Sequence, residues 1–384
     1  MGPTMNRRQW LKTSTFGATG LIMSSSFPSC RQEETLPEQT STKPGVVKLN
    51  SNESPYGISE KAKQAMIEAL GESHLYPHQK YAELIELIAE REGLTPDHII
   101  LGGGSTEVMN MVIRAFGTTG PIVVSDPTYF DFIYYAKLAN CVLEQVPLNE
   151  AFEHDLFSTE QRITPQTSLV YICNPNNPTG SITGKESLLV FCNQFSDQVL
   201  IVVDEAYFEY VEDSSHSSMM ELIRRDKNVI VTRTFSKVFG MAGLRVGYGV
   251  AKPETIDKLK RVEMNFASIS YPSLKAAVSS YTDKTFLNAV LEKNRSAKDY
   301  LCTQLENLGY NYIPSHTNFV LFKVERSSEE MALEFKRKNI LVRHFQFGDH
   351  EWIRVSLGTL KEMQTFVSAL SAMSKTISGK FLRV

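Results

Sequence analysis

Residues 233–245 of the chain read RTFSKVFGMAGLR. The apolar run before them, Val229 to Thr232, predicts a short buried strand, so Lys237 lies in a glycine-rich and hydroxyl-rich loop just beyond a strand. A loop lysine is most often only solvated. Where its surroundings favour the neutral amine it can form a Schiff base, and Arg245, further along this loop, has the planar fork that binds phosphate. The segment therefore predicts a reactive amine beside an anion site.

Three other polar motifs lie next to predicted strands or helices. Glycines 102–104 precede Ser105 and Thr106 at a helix start, where a backbone can approach an anion, although a plain turn would look the same. Residues 174–180, NPNNPTG, follow a predicted strand and taken alone are a turn. Asp204 ends another apolar run with Tyr207 close behind, and an acid in that position is often only a helix cap. Ligands of α/β sheets bind beyond the carboxyl ends of the strands, which is where these motifs are expected to lie.

The rest of the chain predicts the fold class α/β. Helical patterns alternate with short apolar runs from about residue 60, which is typical of a mainly parallel sheet covered on both faces. The predicted helices are Glu60 to Leu70, Tyr81 to Glu92 and Ser105 to Phe116. The predicted strands are Ile122 to Ser125, Leu169 to Cys173, Val199 to Val203, Val229 to Thr232 and Val246 to Val250.

The C-terminal third has a different pattern. A long helical region is predicted from Ser273 to Leu308, followed by strands at Asn318 to Phe322 and Trp352 to Ser356 with helices between and after them. This pattern indicates a second, smaller α+β domain. The expected division is a signal and linker at 1–44, an arm and part of the small domain at 45–75, a large domain at 76–270, and linking helices with the rest of the small domain at 271–384.

Composition excludes several classes of protein. The 384 residues are 42% hydrophobic and 22% charged, which allows a substantial core. With 40 basic and 43 acidic residues the chain has no electrostatic footprint for nucleic acid, so small molecules are the expected partners. Beyond the N-terminus the apolar runs have strand length, so no integral membrane segment is expected in the mature chain. The last four cysteines, at no metal-binding spacing, are predicted to be small core residues: Cys141, Cys173, Cys192 and Cys302.

The N-terminus is typical of a targeting signal. Arg7 and Arg8 precede a mildly apolar stretch from Thr13 to Phe27, which resembles a twin-arginine export signal. The alternative is a disordered basic N-terminus with a chance pair of arginines. Export predicts a periplasmic protein, lipid-anchored if Cys30 is acylated, and a cytoplasmic one if the signal is not used. The run Thr35 to Pro44 reads as a linker, so the folded body is expected to begin near Gly45.

Taken together and in this order, the motifs resemble the class I/II aminotransferases of pyridoxal-phosphate fold type I, and most closely the histidinol-phosphate aminotransferase branch. The resemblance covers roughly residues 46 to 375. It implies a large domain built on a mainly parallel sheet of seven strands between helices, with a smaller α+β domain. The matching motifs are 50–53 (NSNE), 177–180 (NPTG), 204–207 (DEAY), 236–237 (SK) with Arg245, and Arg354.

The resemblance implies pyridoxal 5'-phosphate as cofactor and assigns roles around its ring. Lys237 would hold the cofactor aldehyde and then shuttle a proton at the substrate α-carbon. Asp204 would keep the pyridine nitrogen protonated. Asn177 and Tyr207 would hydrogen-bond the ring oxygen, and Tyr129 would stack on the ring face.

The resemblance also implies binding roles around the cofactor. The phosphate would be held by Ser105, Thr106, Thr234, Ser236 and Arg245. Arg354 would clamp the substrate carboxylate, with Asn52 and Arg343 as further substrate contacts. Tyr76 matches a tyrosine that reaches the cofactor phosphate of a neighbouring subunit, so a homodimer with shared sites is implied. No metal is expected. The motif at 52–55 reads NESP where the family often has a second asparagine, and residues 105–107 read STE where it commonly has SDE.

Three functions stay open from the sequence. The first is an aminotransferase acting on an amino acid or an amino alcohol phosphate, with a 2-oxo acid such as 2-oxoglutarate as the other partner. The second is a decarboxylase or C–S lyase using the same cofactor, since the same residues serve cleavage of a different bond. The third is a non-catalytic binding module.

Overall fold

The computed structural model describes residues 45–212, 217–263 and 268–381. The described residues form one unit by their contacts, and that unit begins at Gly45. Arg7, Arg8 and Cys30, on which the predicted export signal and lipid anchor depend, lie outside the described residues. The domain boundaries expected at residues 76 and 271 stay predictions.

The strands, in chain order, are β1 (Val47–Lys48), β2 (Ile99–Gly102), β3 (Ile122–Asp126), β4 (Leu143–Pro147), β5 (Leu169–Cys173), β6 (Leu200–Asp204), β7 (Val229–Thr234), β8 (Gly247–Val250), β9 (Tyr312–Ile313), β10 (Phe319–Val324), β11 (Ile340–Leu341), β12 (Arg343–Phe347) and β13 (His350–Ser356). The α-helices are α1 (Glu60–Ala69), α2 (Tyr81–Glu92), α3 (Ser105–Val112), α4 (Phe130–Leu138), α5 (Leu156–Glu160), α6 (Lys185–Phe195), α7 (Met220–Ile223), α8 (Pro253–Lys260), α9 (Tyr271–Thr282), α10 (Lys284–Asn307), α11 (Ser328–Arg337) and α12 (Leu360–Phe381).

The central sheet confirms the predicted fold class. Within the described ranges it has seven strands in the order β2-β8-β7-β6-β5-β3-β4. The neighbours from β7 to β4 are parallel, and β8 runs antiparallel to both β2 and β7. Every residue of β5, β6 and β7 is buried, because helices cover both faces. Their carboxyl ends line up, with Asp204 opposite Cys173 on one side and Thr232 on the other.

Two hydrophobic clusters lie on the two faces of this sheet. Side chains alternate along each strand, so Ile201 and Val203 pack with helices α2, α6 and α9, whereas Val202 packs with α3, α4 and α8. The cluster on the second face includes Val112 of α3 and Phe132 of α4. This packing fixes α3, and hence the glycine turn before it, against the sheet.

A second, antiparallel sheet has the strand order β12-β13-β10-β9. Helices α10, α11 and α12 cover it through a separate cluster that includes Phe335 and Phe366. The N-terminal arm joins this part of the molecule, because β1 pairs with β11 and the Ser356 N–H donates to the Leu49 carbonyl at 2.9 Å. The small α+β part is therefore built from both ends of the described chain.

Some element limits differ from those predicted. Helix α3 ends at Val112 and a π-turn follows, Ile113–Gly117, where one helix to Phe116 was predicted. The long helical region is two helices that meet at Asp283, whose carboxylate accepts from the Phe286 N–H and begins α10. Strands β2 and β4 were not predicted, since β2 ends in glycine and β4 is a partly exposed run that ends in Pro147.

The apolar content of the helices also bears on the membrane prediction. Over the part of the chain that the structure describes, no helix is both long enough and apolar enough to cross a bilayer.

Candidate active site

The glycine turn before α3 forms one wall of the site. Gly104 has a φ of 86° and precedes the helix without a side-chain cap, so the first turn of α3 presents backbone N–H groups. A Cβ on Gly104 would lie 2.2 Å from Nη2 of Arg245. That Nη2 donates to the Gly103 carbonyl at 3.0 Å, so the predicted anion-binding arginine and the glycine turn are in direct contact.

Hydroxyl groups lie next to the glycine turn and Arg245, and together these groups form the corner of the site that we call the phosphate corner. The Ser236 oxygen accepts from Thr234 Oγ1 at 2.9 Å and from Arg245 Nη1 at 3.3 Å, which directs its own proton away from both. Arg245 has a left-handed φ of 55°, and this turn brings its side chain back over the loop. Ser105 and Ser236 are both buried. A helix N-terminus, hydroxyls and a guanidinium together suit a phosphate group.

Asp204 lies at the carboxyl end of β6 and is 2% exposed. Its carboxylate accepts from Tyr171 Oη at 3.1 Å and from Thr232 Oγ1 at 3.0 Å. Burial raises the pKa of Asp204 to about 6, against the lowering by these hydrogen bonds. The ionised form of a buried carboxylate of this kind is stabilised most when a cation faces it. Sequence reasoning missed Tyr171 and Thr232, because each is one polar residue inside an apolar strand.

Lys237 follows β7 and faces the same end of the sheet. Its Nζ donates to the Asn52 carbonyl at 3.4 Å and lies 5.5 Å from the centre of the Tyr207 ring. Burial, and then the positive charge of Arg354, lower the pKa of Lys237 to about 8. The loop thus holds an amine that is partly neutral near neutral pH, which Schiff-base chemistry requires.

Asn52 connects the arm with both sheets. It is 2% exposed, and its side-chain amide donates to Tyr207 Oη at 3.0 Å. Its backbone N–H donates to Ser356 Oγ at 2.8 Å, and its carbonyl accepts from Asn318 Nδ2 at 3.0 Å. Ser356 and Asn318 were not predicted as site residues. Their only signal was that each is an end residue of a predicted small-domain strand, which is too weak to assign a role.

Arg354 enters the site from the middle of β13 and is 3% exposed. Its Nη1 donates to Asn177 Oδ1 at 2.5 Å and its Nη2 to the Asn50 carbonyl at 3.2 Å. Its Nε is buried and has no hydrogen-bond partner among the described residues. Burial lowers the pKa of Arg354 to about 10. An arginine held this far from water with a donor unused is suited to bind a carboxylate.

Tyr129 precedes α4 and contacts the phosphate corner. Its hydroxyl donates to Asp131 Oδ2 at 2.7 Å and lies 3.3 Å from Thr106 Oγ1. Burial and the Asp131 carboxylate raise the pKa of Tyr129 well above its ordinary value, so the hydroxyl keeps its proton. The predicted position of its ring against a cofactor stays a prediction.

Arg343 and Tyr76 are both exposed. Arg343 is exposed on β12 opposite Arg354, and the guanidinium carbons of both arginines lie over the Phe345 ring, at 5.7 Å and 5.3 Å from its centre. Tyr76 is 82% exposed, and its ring pairs with that of His78 at 5.6 Å. The contacts described for Tyr76 include no residue around Lys237, so one chain alone does not bring it to the site.

These residues fit pyridoxal 5'-phosphate. The corner at Ser105, Ser236 and Arg245 suits its phosphate, the Lys237 amine suits its aldehyde, and the Asp204 carboxylate suits its protonated ring nitrogen. The unused Nε of the buried Arg354 leaves a donor for a substrate carboxylate beside that amine. The fold and the site define a pyridoxal-phosphate-dependent enzyme.

Known proteins are similar to this chain in sequence and in fold. The family "Aminotransferase class I and II" matches residues 44–370. A histidinol-phosphate aminotransferase of Moorella thermoacetica is 39% identical over 328 residues, which are 85% of this chain and 84% of that protein. The crystal structure of histidinol-phosphate aminotransferase from Sinorhizobium meliloti in complex with pyridoxal-5'-phosphate has a TM-score of 0.80 at 26% identity, covering 86% of this chain and 91% of that one. The structure of the Clostridium acetobutylicum enzyme also gives 0.80, at 25% identity, covering 86% of this chain and all of its own (100%).

The chain belongs to the class I and II aminotransferase family. It is a pyridoxal-phosphate-dependent aminotransferase of fold type I, as its sequence motifs predicted.

Proposed function

We propose that this enzyme moves an amino group between an amino acid or an amino alcohol phosphate and a 2-oxo acid such as 2-oxoglutarate. The observation that carries the proposal is the position of Arg354, buried beside Asn177, with its Nε unused and its charge acting on Lys237. A carboxylate bound there would be held by a planar fork next to the reactive amine.

The proton transfers are assigned to Lys237. When bound, the cofactor supplies an electron sink for negative charge on the substrate α-carbon. Lys237 takes the proton from that carbon as general base and returns it as general acid. Its pKa of about 8 suits both directions near neutral pH. Asp204 places a negative charge opposite the protonated ring nitrogen of the cofactor. Because Asp204 is buried, this attraction is stronger than it would be in water.

The remaining roles follow the contacts. Asn177 gives its oxygen to Arg354, which leaves its amide nitrogen to donate to the ring oxygen of the cofactor, alongside Tyr207. Ser105, Thr106, Thr234, Ser236 and Arg245 hold the phosphate, and Tyr129 covers the ring.

The substrate class is proposed from charge. Arg343 is exposed and stands opposite Arg354 on the neighbouring strand, so a substrate with a second anionic group, a phosphate or a carboxylate, would find a second guanidinium. The similarity to histidinol-phosphate aminotransferases supports a phosphorylated amino alcohol as one such substrate.

A substrate panel tests both reaction and substrate. The loaded enzyme is mixed with single amino acids and with amino alcohol phosphates, and its absorbance is followed. Transamination converts the cofactor to its amine form, and adding a 2-oxo acid restores the starting spectrum. Release of carbon dioxide or of a thiol without that conversion would favour a decarboxylase or lyase instead.

A homodimer with shared sites is proposed from Tyr76. A large aromatic side chain that is 82% exposed, beside the exposed Leu75 at 55%, suits a protein contact better than water. Mixed dimers test the sharing: Lys237→Ala and Tyr76→Ala chains, each impaired alone, are refolded together. Shared sites predict recovered activity, because each hybrid has one site with both native residues. No recovery in confirmed hybrids would contradict sharing.

Export by the twin-arginine route is also proposed. Its support is the Arg7-Arg8 pair before an apolar stretch, together with a family match that begins only at residue 44. Fractionation of cells that express the full chain tests it, with Arg7→Lys/Arg8→Lys as control. Processed protein outside the cytoplasm that disappears in the control supports export, a lipid-modified Cys30 supports anchoring, and equal cytoplasmic retention of both chains contradicts export.

A further inference from the structure

The hydrogen bonds around Asn52 run in one direction. The Ser356 oxygen accepts from the Asn52 backbone N–H at 2.8 Å, and the Ser356 hydroxyl donates to Asn52 Oδ1, also at 2.8 Å. In this arrangement the amide oxygen of Asn52 faces Ser356 and its Nδ2 faces Tyr207, to which it donates at 3.0 Å. Because the Tyr207 hydroxyl accepts from Asn52 Nδ2, its own proton is left to donate to another group.

A second residue holds the other side of Asn52. Asn318 Nδ2 donates at 3.0 Å to the Asn52 carbonyl, which also accepts from Lys237 Nζ at 3.4 Å. Asn52 has a φ of 54°, a left-handed conformation that asparagine tolerates but that needs support from its surroundings. Asn318 supplies that support whether or not Lys237 has a proton to give.

We propose that Ser356 and Asn318 are positioning residues of the transamination site, which fix Asn52 so that its amide points at Tyr207 and makes Tyr207 a hydrogen-bond donor to the cofactor. Neither residue contacts Lys237 or Tyr207 in the described hydrogen bonds; both act through Asn52. The inference rests on the proposed roles of Lys237 and Tyr207.

Charged and titratable groups surround Tyr207 and Lys237. Tyr207 and Lys237 are faced by Asp204 from β6, by Arg354 from β13, by Glu53 from the arm and by Arg245 from the loop before β8. Cys173 of β5 and the Asn52 amide face Tyr207 as well. Because neither Ser356 nor Asn318 carries charge, replacing them leaves this field unchanged and alters only the direction of the hydrogen bonds.

The test is spectroscopic and uses the loaded enzyme. The absorbance of the cofactor reports the protonation of its bond to Lys237, and a donor on the ring oxygen lowers the pH at which that proton leaves. Ser356→Ala and Asn318→Ala are each expected to raise the pH midpoint of this proton loss by about half a pH unit or more, the direction also expected for Tyr207→Phe. Ser356→Thr, which keeps the hydroxyl, is expected to keep the native midpoint.

Matched controls separate positioning from general damage. Asn294 is also a buried asparagine that donates through Nδ2, at 3.4 Å, to the backbone carbonyl of Thr317, and Ser280 has a buried hydroxyl without a partner among the described residues. Asn294→Ala and Ser280→Ala are expected to keep the native midpoint. If Ser356→Ala does not fold, Ser356→Cys and Asn318→Ala take its place.

Two outcomes overturn the inference. One is a native midpoint in Ser356→Ala and Asn318→Ala while Tyr207→Phe shifts it. The other is an equal shift in the control variants. If Tyr207→Phe itself causes no shift, the role proposed for Tyr207 fails first, and the substrate panel still decides the reaction independently.

Discussion

Nη1 of Arg354 donates to Oδ1 of Asn177 across 2.5 Å and so links the small antiparallel sheet to the loop after β5 of the central sheet. One contact thus sets the distance between the group proposed to bind the substrate carboxylate and a group proposed to bind the cofactor ring. Changes at Arg354 are therefore expected to affect both substrate and cofactor.

Arg354→Lys is expected to raise KM for both the amino acid and the 2-oxo acid by about 100-fold, because a point charge replaces a bidentate fork. Steady-state kinetics with each substrate measures it. Arg343→Lys is the comparison, and it should affect only substrates with a second anionic group. An unchanged KM in Arg354→Lys would remove Arg354 from substrate binding.

The pKa of Lys237 gives a pH prediction. Burial and Arg354 lower it to about 8, so the cofactor-free chain should capture added cofactor at a rate that rises through pH 8 and then levels off. Arg354→Gln removes a positive neighbour and should move this profile to higher pH. Stopped-flow absorbance measures the rates. A rate that keeps rising beyond pH 10, as for an ordinary lysine, would contradict the lowered pKa.

Asp204→Asn is expected to stabilise the cofactor-free chain while it abolishes transamination. The folded-state pKa of about 6 lies above the ordinary 3.8, so ionisation of Asp204 opposes folding. The cost of this ionisation to the free energy of unfolding is absent below about pH 4, grows between about pH 4 and pH 6, and is constant at higher pH. Above about pH 6 the variant should therefore gain up to about 3 kcal/mol in free energy of unfolding.

Urea unfolding at pH 4.5 and pH 7.5 measures that difference, with the exposed Asp299→Asn as control. A gain from Asp204→Asn that is no larger at pH 7.5 than at pH 4.5 would contradict a raised pKa.

Gly104→Ala is expected to weaken cofactor binding by at least about tenfold, because a side chain there is strained at a φ of 86° and would displace Arg245 Nη2 from 2.2 Å away. Gly184→Ala, where an added Cβ meets nothing within 4 Å, is the matched control. Fluorescence titration of the cofactor-free chains measures both affinities. Equal affinities would show that the corner at Gly104 does not hold the phosphate.

Sequence alone was enough for the fold class, for five of the seven described strands of the central sheet and for the order of the site motifs. The strands β5, β6 and β7 are buried on both faces, so they appear as continuous apolar runs, and the polar residues after them are conspicuous. Lys237, Asp204 and Arg245 could be selected because their motifs follow or flank these runs.

The supporting residues could not be predicted in the same way. Tyr171 and Thr232 reach Asp204 only through the register of neighbouring strands, and Ser356 and Asn318 reach Asn52 only because the arm packs on the small sheet. Such contacts join residues up to 304 positions apart, as Asn52 and Ser356 are, and no local pattern encodes them. Tyr76 remains a prediction, since its proposed contact needs a second chain.

The most direct test of the account is reduction of the native, cofactor-loaded protein with borohydride, followed by proteolysis and mass spectrometry. The account predicts a phosphopyridoxyl group on the peptide that contains Lys237, with no such label in Lys237→Ala. An unlabelled Lys237 in a protein that has bound the cofactor, or a label on another lysine, would contradict the central claim.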